Sequence, residues 1–86
     1  MFEVIWTKKA RGYYERLDKD FQDRFEKMLN ILEKSPFYYG KSIKRLKGNL
    51  EGLYRFRIGK LRVFYAIDTL ERVVIITNID TRGNIY

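Results

Sequence analysis

The sequence predicts an α+β domain: an N-terminal strand, a two-helix hairpin, then a mostly antiparallel sheet of three to four strands with the helices on one face. Three observations predict it. Apolar residues recur at helical spacing between Ala10 and Leu32, they alternate with a period of two from Leu53 to Tyr65, and an unbroken apolar run fills Val73 to Ile76. Eighty-six residues with 45% hydrophobic and 16% aromatic content supply one core, so residues 1–86 are expected to be a single domain.

Phe2 to Trp6 combines β-branched and aromatic residues and reads as the opening strand. Thr7 is placed to cap the next element, in which Ala10, Tyr13, Tyr14 and Leu17 form an apolar stripe opposite a basic side. Asp18-Lys19-Asp20 breaks and restarts the helical pattern. Phe21, Phe25, Met28, Leu29 and Leu32 then fall at i, i+4, i+7, i+8 and i+11, a stripe suited to packing on a sheet rather than to holding a cofactor. Ser35-Pro36 ends this helix, and a loop to Ser42 carrying Phe37, Tyr38, Tyr39 and Gly40 is available to partners. A short strand around Lys44 to Leu46 closes at Lys47-Gly48-Asn49. Leu53 to Tyr65 forms a hairpin whose Gly59-Lys60 loop suits a type II′ turn, since glycine tolerates the positive φ required at the first central position. Asp68 to Glu71 make the last turn, and Val73 to Ile76, apolar at consecutive positions, is expected to be a central strand buried on both faces.

A two-residue loop fixes which residues of the hairpin oppose one another. Arg57 faces Arg62, Arg55 faces Phe64 and Leu53 faces Ala66 on one side, while Ile58/Leu61, Phe56/Val63 and Tyr54/Tyr65 line the core side. Like charges directly opposite one another destabilise a ladder, so three gathered arginines imply an anionic ligand, with phosphate the natural one. The charge distribution agrees. Of the net +7, residues 1–43 carry nine basic and seven acidic side chains (+2) and residues 44–86 carry nine and four (+5). Lys47 and Lys60 stand at the edge of the arginines, and Lys44, Arg45, Lys47 and Lys60 are expected RNA-binding positions. If the final strand runs antiparallel, Arg82 returns to the level of Arg62 and Tyr86 ends close by. A four- or five-residue loop before that strand decides whether Thr77 or Asn78 faces Arg62; the longer one puts Asn78, Asp80 and Arg82 on the arginine face.

Arg55, Arg57, Arg62, Arg82 and Tyr86 form a group suited to phosphodiester cleavage by a ribose 2′-oxygen. That attack builds negative charge on the phosphate oxygens, and fixed guanidinium groups stabilise it without a metal. Arginine stays protonated and cannot act as base, which leaves the Tyr86 phenol as the candidate proton acceptor. The chain has no Cys and no His, which excludes disulfides, thiolate zinc sites and histidine catalysis, and no cofactor or metal is expected. There is no run of 18 apolar residues, and Met1 to Val4 lead into a strand rather than a signal peptide, so a soluble cytoplasmic protein without membrane contact is expected.

The segment Arg45-Leu46-Lys47-Gly48, the hairpin Tyr54-Arg55-Phe56-Arg57-Ile58-Gly59-Lys60-Leu61-Arg62-Val63-Phe64-Tyr65 and the close Arg82-Gly83-Asn84-Ile85-Tyr86 together resemble the RelE/ParE superfamily of toxin–antitoxin toxins, in its RelE-like branch. The resemblance spans nearly the whole chain. It implies a RelE-like microbial ribonuclease-type fold and a metal-independent mRNA interferase that cleaves translated messenger in the ribosomal A site. It implies catalytic roles for Arg55, Arg57, Arg62, Arg82 and Tyr86. Relatives carry a lysine assigned as base at the position of Arg57, and often His or Lys at that of Thr81. The implied partners are a RelB-like antitoxin and the ribosome with its messenger and ribosomal RNA, with operator DNA reached only through the antitoxin complex. The alternatives are a ParE-like DNA gyrase inhibitor without nuclease activity and a non-catalytic RNA- or ribosome-binding domain.

Overall fold

The computed structural model describes residues 1–37, 43–46 and 52–81. The chain runs β1 (Glu3–Trp6), α1 (Lys8–Glu15), α2 (Lys19–Lys34), β2 (Ile43–Arg45), β3 (Leu53–Ile58), β4 (Leu61–Asp68) and β5 (Val73–Asp80). Each helix begins at a cap supplied by its own sequence. Thr7 Oγ1 accepts a hydrogen bond from the Ala10 amide at 3.2 Å, and Asp18 Oδ1 accepts one from the Phe21 amide at 3.0 Å. Both satisfy amides that the first turn of a helix leaves without an intrahelical partner. The first helix stops at Glu15, two residues before the Leu17 of its apolar stripe.

The strands form one sheet in the order β1-β5-β4-β3-β2. From β2 to β5 the sheet is an antiparallel meander, and β1 pairs in parallel with β5, Ile5 opposite Ile75. The predicted succession of strand, two helices and four strands is present. The predicted place of the last strand is not: β4 is the middle strand and β5 lies between β4 and β1. Nor is β5 buried on both faces. Val74 and Ile76 are fully buried beneath the helices, whereas Val73 and Ile75 point the other way and keep partial exposure. The apolar run reflects a strand flanked on both sides, not one covered on both faces.

The core is aromatic. Phe25 of α2 stacks on Trp6 at 5.4 Å and meets Tyr14 and Phe56 edge-on at 5.2 and 5.6 Å, joining β1, α1 and β3. Tyr65 is fully buried in the central strand, and its hydroxyl donates to the Pro36 carbonyl at 2.7 Å. Burial pushes this phenol's pKa up, with a smaller push from Tyr54. Of the predicted aromatic loop, Phe37 lies edge-on to Phe2 and Tyr54; Tyr38, Tyr39 and Gly40 lie outside the described residues, as does the Lys47-Gly48-Asn49 turn.

Candidate functional site

The β3–β4 hairpin positions the cations. Gly59 adopts φ +56°, and Lys60 stays on the negative-φ side, as a type II′ turn requires. The turn is braced from below: a Cβ built on Gly59 would lie 3.5 Å from Phe21 Cε1 and 3.6 Å from the Arg24 guanidinium. With the loop fixed at two residues, Arg57 stands opposite Arg62, Arg55 opposite Phe64 and Leu53 opposite Ala66. Phe56, Ile58, Leu61 and Val63 alternate with them into the core, so the arginines occupy the face that α1 and α2 leave uncovered. β2 adds Lys44, opposite Arg55. Arg57 and Lys44 are exposed, and Arg55 and Arg62 are partly buried. Lys60 is exposed at the turn between them.

Arg45 does not join this group. It pairs with Tyr54, whose ring packs against Tyr65 and Phe37, so Arg45 and Lys44 lie on opposite faces of β2. Lys47, Arg82 and Tyr86 lie outside the described residues.

The register of β5 differs from both sequence options. Asp80, not Thr77 or Asn78, stands opposite Arg62. Below it the ladder pairs Tyr65 with Ile76; above it Phe64 pairs with Asn78, so Thr77 is an extra residue, a β-bulge. Strict alternation from the buried Ile76 would turn Ile79 out to solvent. The bulge absorbs one residue, keeps Ile76 and Ile79 both buried, and brings Asn78 and Asp80 onto the arginine face. It is pinned by side chains: Thr77 Oγ1 donates to the Phe64 carbonyl at 3.2 Å, and Thr7 Oγ1 donates to the Thr77 carbonyl at 3.1 Å.

Three adjacent strands therefore carry two lateral rows. One is Arg57, Arg62, Asp80; the next is Lys44, Arg55, Phe64, Asn78. The Asn78 carboxamide oxygen is enclosed by protein and makes no hydrogen bond among the described residues. Phe64 is fully buried although it faces away from the helices. Among the described residues the arrangement concentrates guanidinium donors beside one carboxylate, which suits binding a phosphodiester and stabilising added charge on it.

A family model described as the ParE toxin of the type II toxin–antitoxin system parDE matches residues 4–86. The chain belongs to the RelE/ParE superfamily of toxins. It is 37% identical to "Putative toxin RelE1" of Methanocaldococcus jannaschii across 85% of this chain and 89% of that protein. Its fold superposes on the toxin of the archaeal RelE–RelB complex of Pyrococcus horikoshii with a TM-score of 0.82 and 30% identity, covering 96% of this chain and 97% of that one. The toxin–antitoxin complex RelBE2 of Mycobacterium tuberculosis gives 0.79 and 26%, covering 94% and 98%. The predicted superfamily and fold are those found.

Proposed function

We propose that this toxin is a ribosome-dependent messenger RNA endonuclease that acts in the cytoplasm and is restrained by a cognate RelB-like antitoxin. The observation that carries the reading is the direct opposition of Arg57 and Arg62 on the face the helices leave uncovered, flanked by Arg55 and Lys44. An opposed like-charge pair costs the free protein stability, and a bound phosphate turns that cost into binding. In the reaction a ribose 2′-oxygen attacks the adjacent phosphorus, charge grows on the non-bridging oxygens, and Arg55, Arg57 and Arg62 stabilise it; Arg82 and Tyr86 complete the site by their resemblance to family positions. The RelB antitoxins in the complexes of similar toxins support the partner.

Ribosomes programmed with a defined messenger and incubated with the purified toxin test this. Primer extension should show cuts in the A-site codon, and Arg62→Ala should slow them about 100- to 1,000-fold, the usual effect of removing one preorganised charge-stabilising donor. Intact messenger with wild-type toxin overturns the reading. Gyrase-dependent DNA breaks in cells expressing the toxin would replace it with a ParE-type one, in keeping with the description of the matching family model.

A further inference from the structure

The arginines of the site can hold a phosphate but cannot remove a proton, because a guanidinium stays charged at any working pH. Asp80 sits where that function is missing. It stands opposite Arg62, in the same row as Arg57, and directly paired residues bring their Cβ atoms to about 5 Å of each other. Asp68, the acid of β4, lies at the far end of that strand, six residues from Arg62, about 20 Å away at the rise of a strand. Glu3 pairs with Val73 at that same far end. Among the described residues, Asp80 is thus the carboxylate at the arginine end of the sheet.

Its placement is built into the fold. The bulge at Thr77, held by the hydrogen bonds to Phe64 and Thr7, swaps Ile79 for Asp80 on this face. Bulges of this kind recur beside active sites, where they re-aim a side chain. Asp80 Oδ2 is enclosed by protein while the residue as a whole keeps partial exposure.

We infer that Asp80 is the proton acceptor of the cleavage reaction; this rests on the ribonuclease reading above. The Asp80 carboxylate takes the proton of the attacking 2′-hydroxyl as the 2′-oxygen–phosphorus bond forms. The phosphorus–5′-oxygen bond breaks, leaving a 2′,3′-cyclic phosphate, and the departing 5′-oxygen takes a proton from solvent water. The Asp80 carboxylic acid then returns its proton to solvent. Arg57 and Arg62 stabilise the phosphate throughout, so acceptor and charge stabiliser come from neighbouring strands in one row.

The test uses full-length toxin on programmed ribosomes, with binding measured separately on messenger carrying a 2′-deoxy nucleotide at the cleavage position, which binds but cannot react. Asp80→Asn and Asp80→Ala should slow cleavage 100- to 10,000-fold, the usual range for loss of a general base, while binding the inert messenger as tightly as wild type or tighter, because a negative charge has left a cationic face. Added formate should restore cleavage to Asp80→Ala in a concentration-dependent way. A purely structural partner of Arg62 behaves differently: its loss weakens binding, and formate restores nothing. That outcome, or cleavage by Asp80→Asn within tenfold of wild type, overturns the assignment while wild-type cleavage leaves the ribonuclease reading standing. Loss of cleavage on Tyr86→Phe to the level of Asp80→Ala, without formate rescue of either, transfers the role to Tyr86.

Discussion

Tyr14 shows how one side chain links the core to the surface. Its ring lies against Trp6 and Phe25, and its hydroxyl donates to Glu26 Oε2 at 2.6 Å, bridging α1 and α2. Burial, and after it the hydrogen bond and negative charge of Glu26, push this phenol up to about 12 from its ordinary 10. The folded state therefore holds the proton more tightly than the unfolded chain. The stability this represents is fully present below pH 10 and is lost as pH rises toward 12, where the folded protein too must ionise the phenol beside a carboxylate. Urea denaturation in steps from pH 9 to pH 12 should show the midpoint falling for wild type, and Tyr14→Phe should fall less steeply over that interval. Equal slopes would assign the alkaline loss to Tyr65, whose buried phenol is also pushed up.

The β3–β4 hairpin and the β4–β5 ladder mark the boundary of what the sequence makes legible. In the hairpin, a two-residue loop with glycine at its first position leaves one register, so every pair from Leu53/Ala66 to Ile58/Leu61 follows from counting. The opposition of Arg57 and Arg62 was legible for that reason. Between β4 and β5 a longer turn intervenes, in which Asp68 Oδ1 accepts from the amides of Leu70 and Glu71 and Arg72 takes a positive φ of 56°, and a bulge then shifts the count again. The signal was present in Ile76 and Ile79, two apolar positions three apart in a strand flanking polar Asn78, a spacing that a regular strand cannot bury on one face. The parallel docking of β1 on β5 has no local signature, because its partner lies 70 residues along the chain. The face of Arg45 was not legible for a smaller reason: a three-residue strand has too little alternation to reveal its faces, and its pairing with Tyr54 does so. The bulge and the α1 cap share Thr7, which accepts from Ala10 and donates to Thr77. Thr7→Ala should accordingly destabilise the protein by about 1–2 kcal/mol in urea denaturation, while Thr7→Ser keeps most of the stability. Hydrogen exchange should find the amides around Thr77 loosened by Thr7→Ala but not by Asp18→Ala, which removes the cap of α2 alone.

Taken over the whole molecule, the charge is divided between two sides of one sheet. The helices carry both signs, with i,i+4 pairs of Arg11 with Glu15, Lys19 with Asp23 and Arg24 with Asp20, so part of the charge on their side of the +7 chain is locally compensated. The opposite side carries Lys44, Arg55, Arg57 and Arg62, with Asp80 beside Arg62 at the β5 end of the row. A single strand of RNA laid on that side displaces counterions, and log K falls with log salt with a slope of about −0.7 per phosphate neutralised. Three or four contacts give a slope of about −2 to −3, a loss of affinity of roughly 20- to 50-fold between 50 and 200 mM salt. Binding of an uncleavable 2′-deoxy-substituted messenger on programmed ribosomes, titrated with salt, should follow that slope. Arg62→Ala should make it shallower by about 0.7, and Lys27→Ala, exposed on α2, should leave it unchanged. The reverse pattern, an unchanged slope for Arg62→Ala and a shallower one for substitutions at Lys8 or Lys9 on α1, would move the RNA to the helical side and detach the arginine row from the substrate.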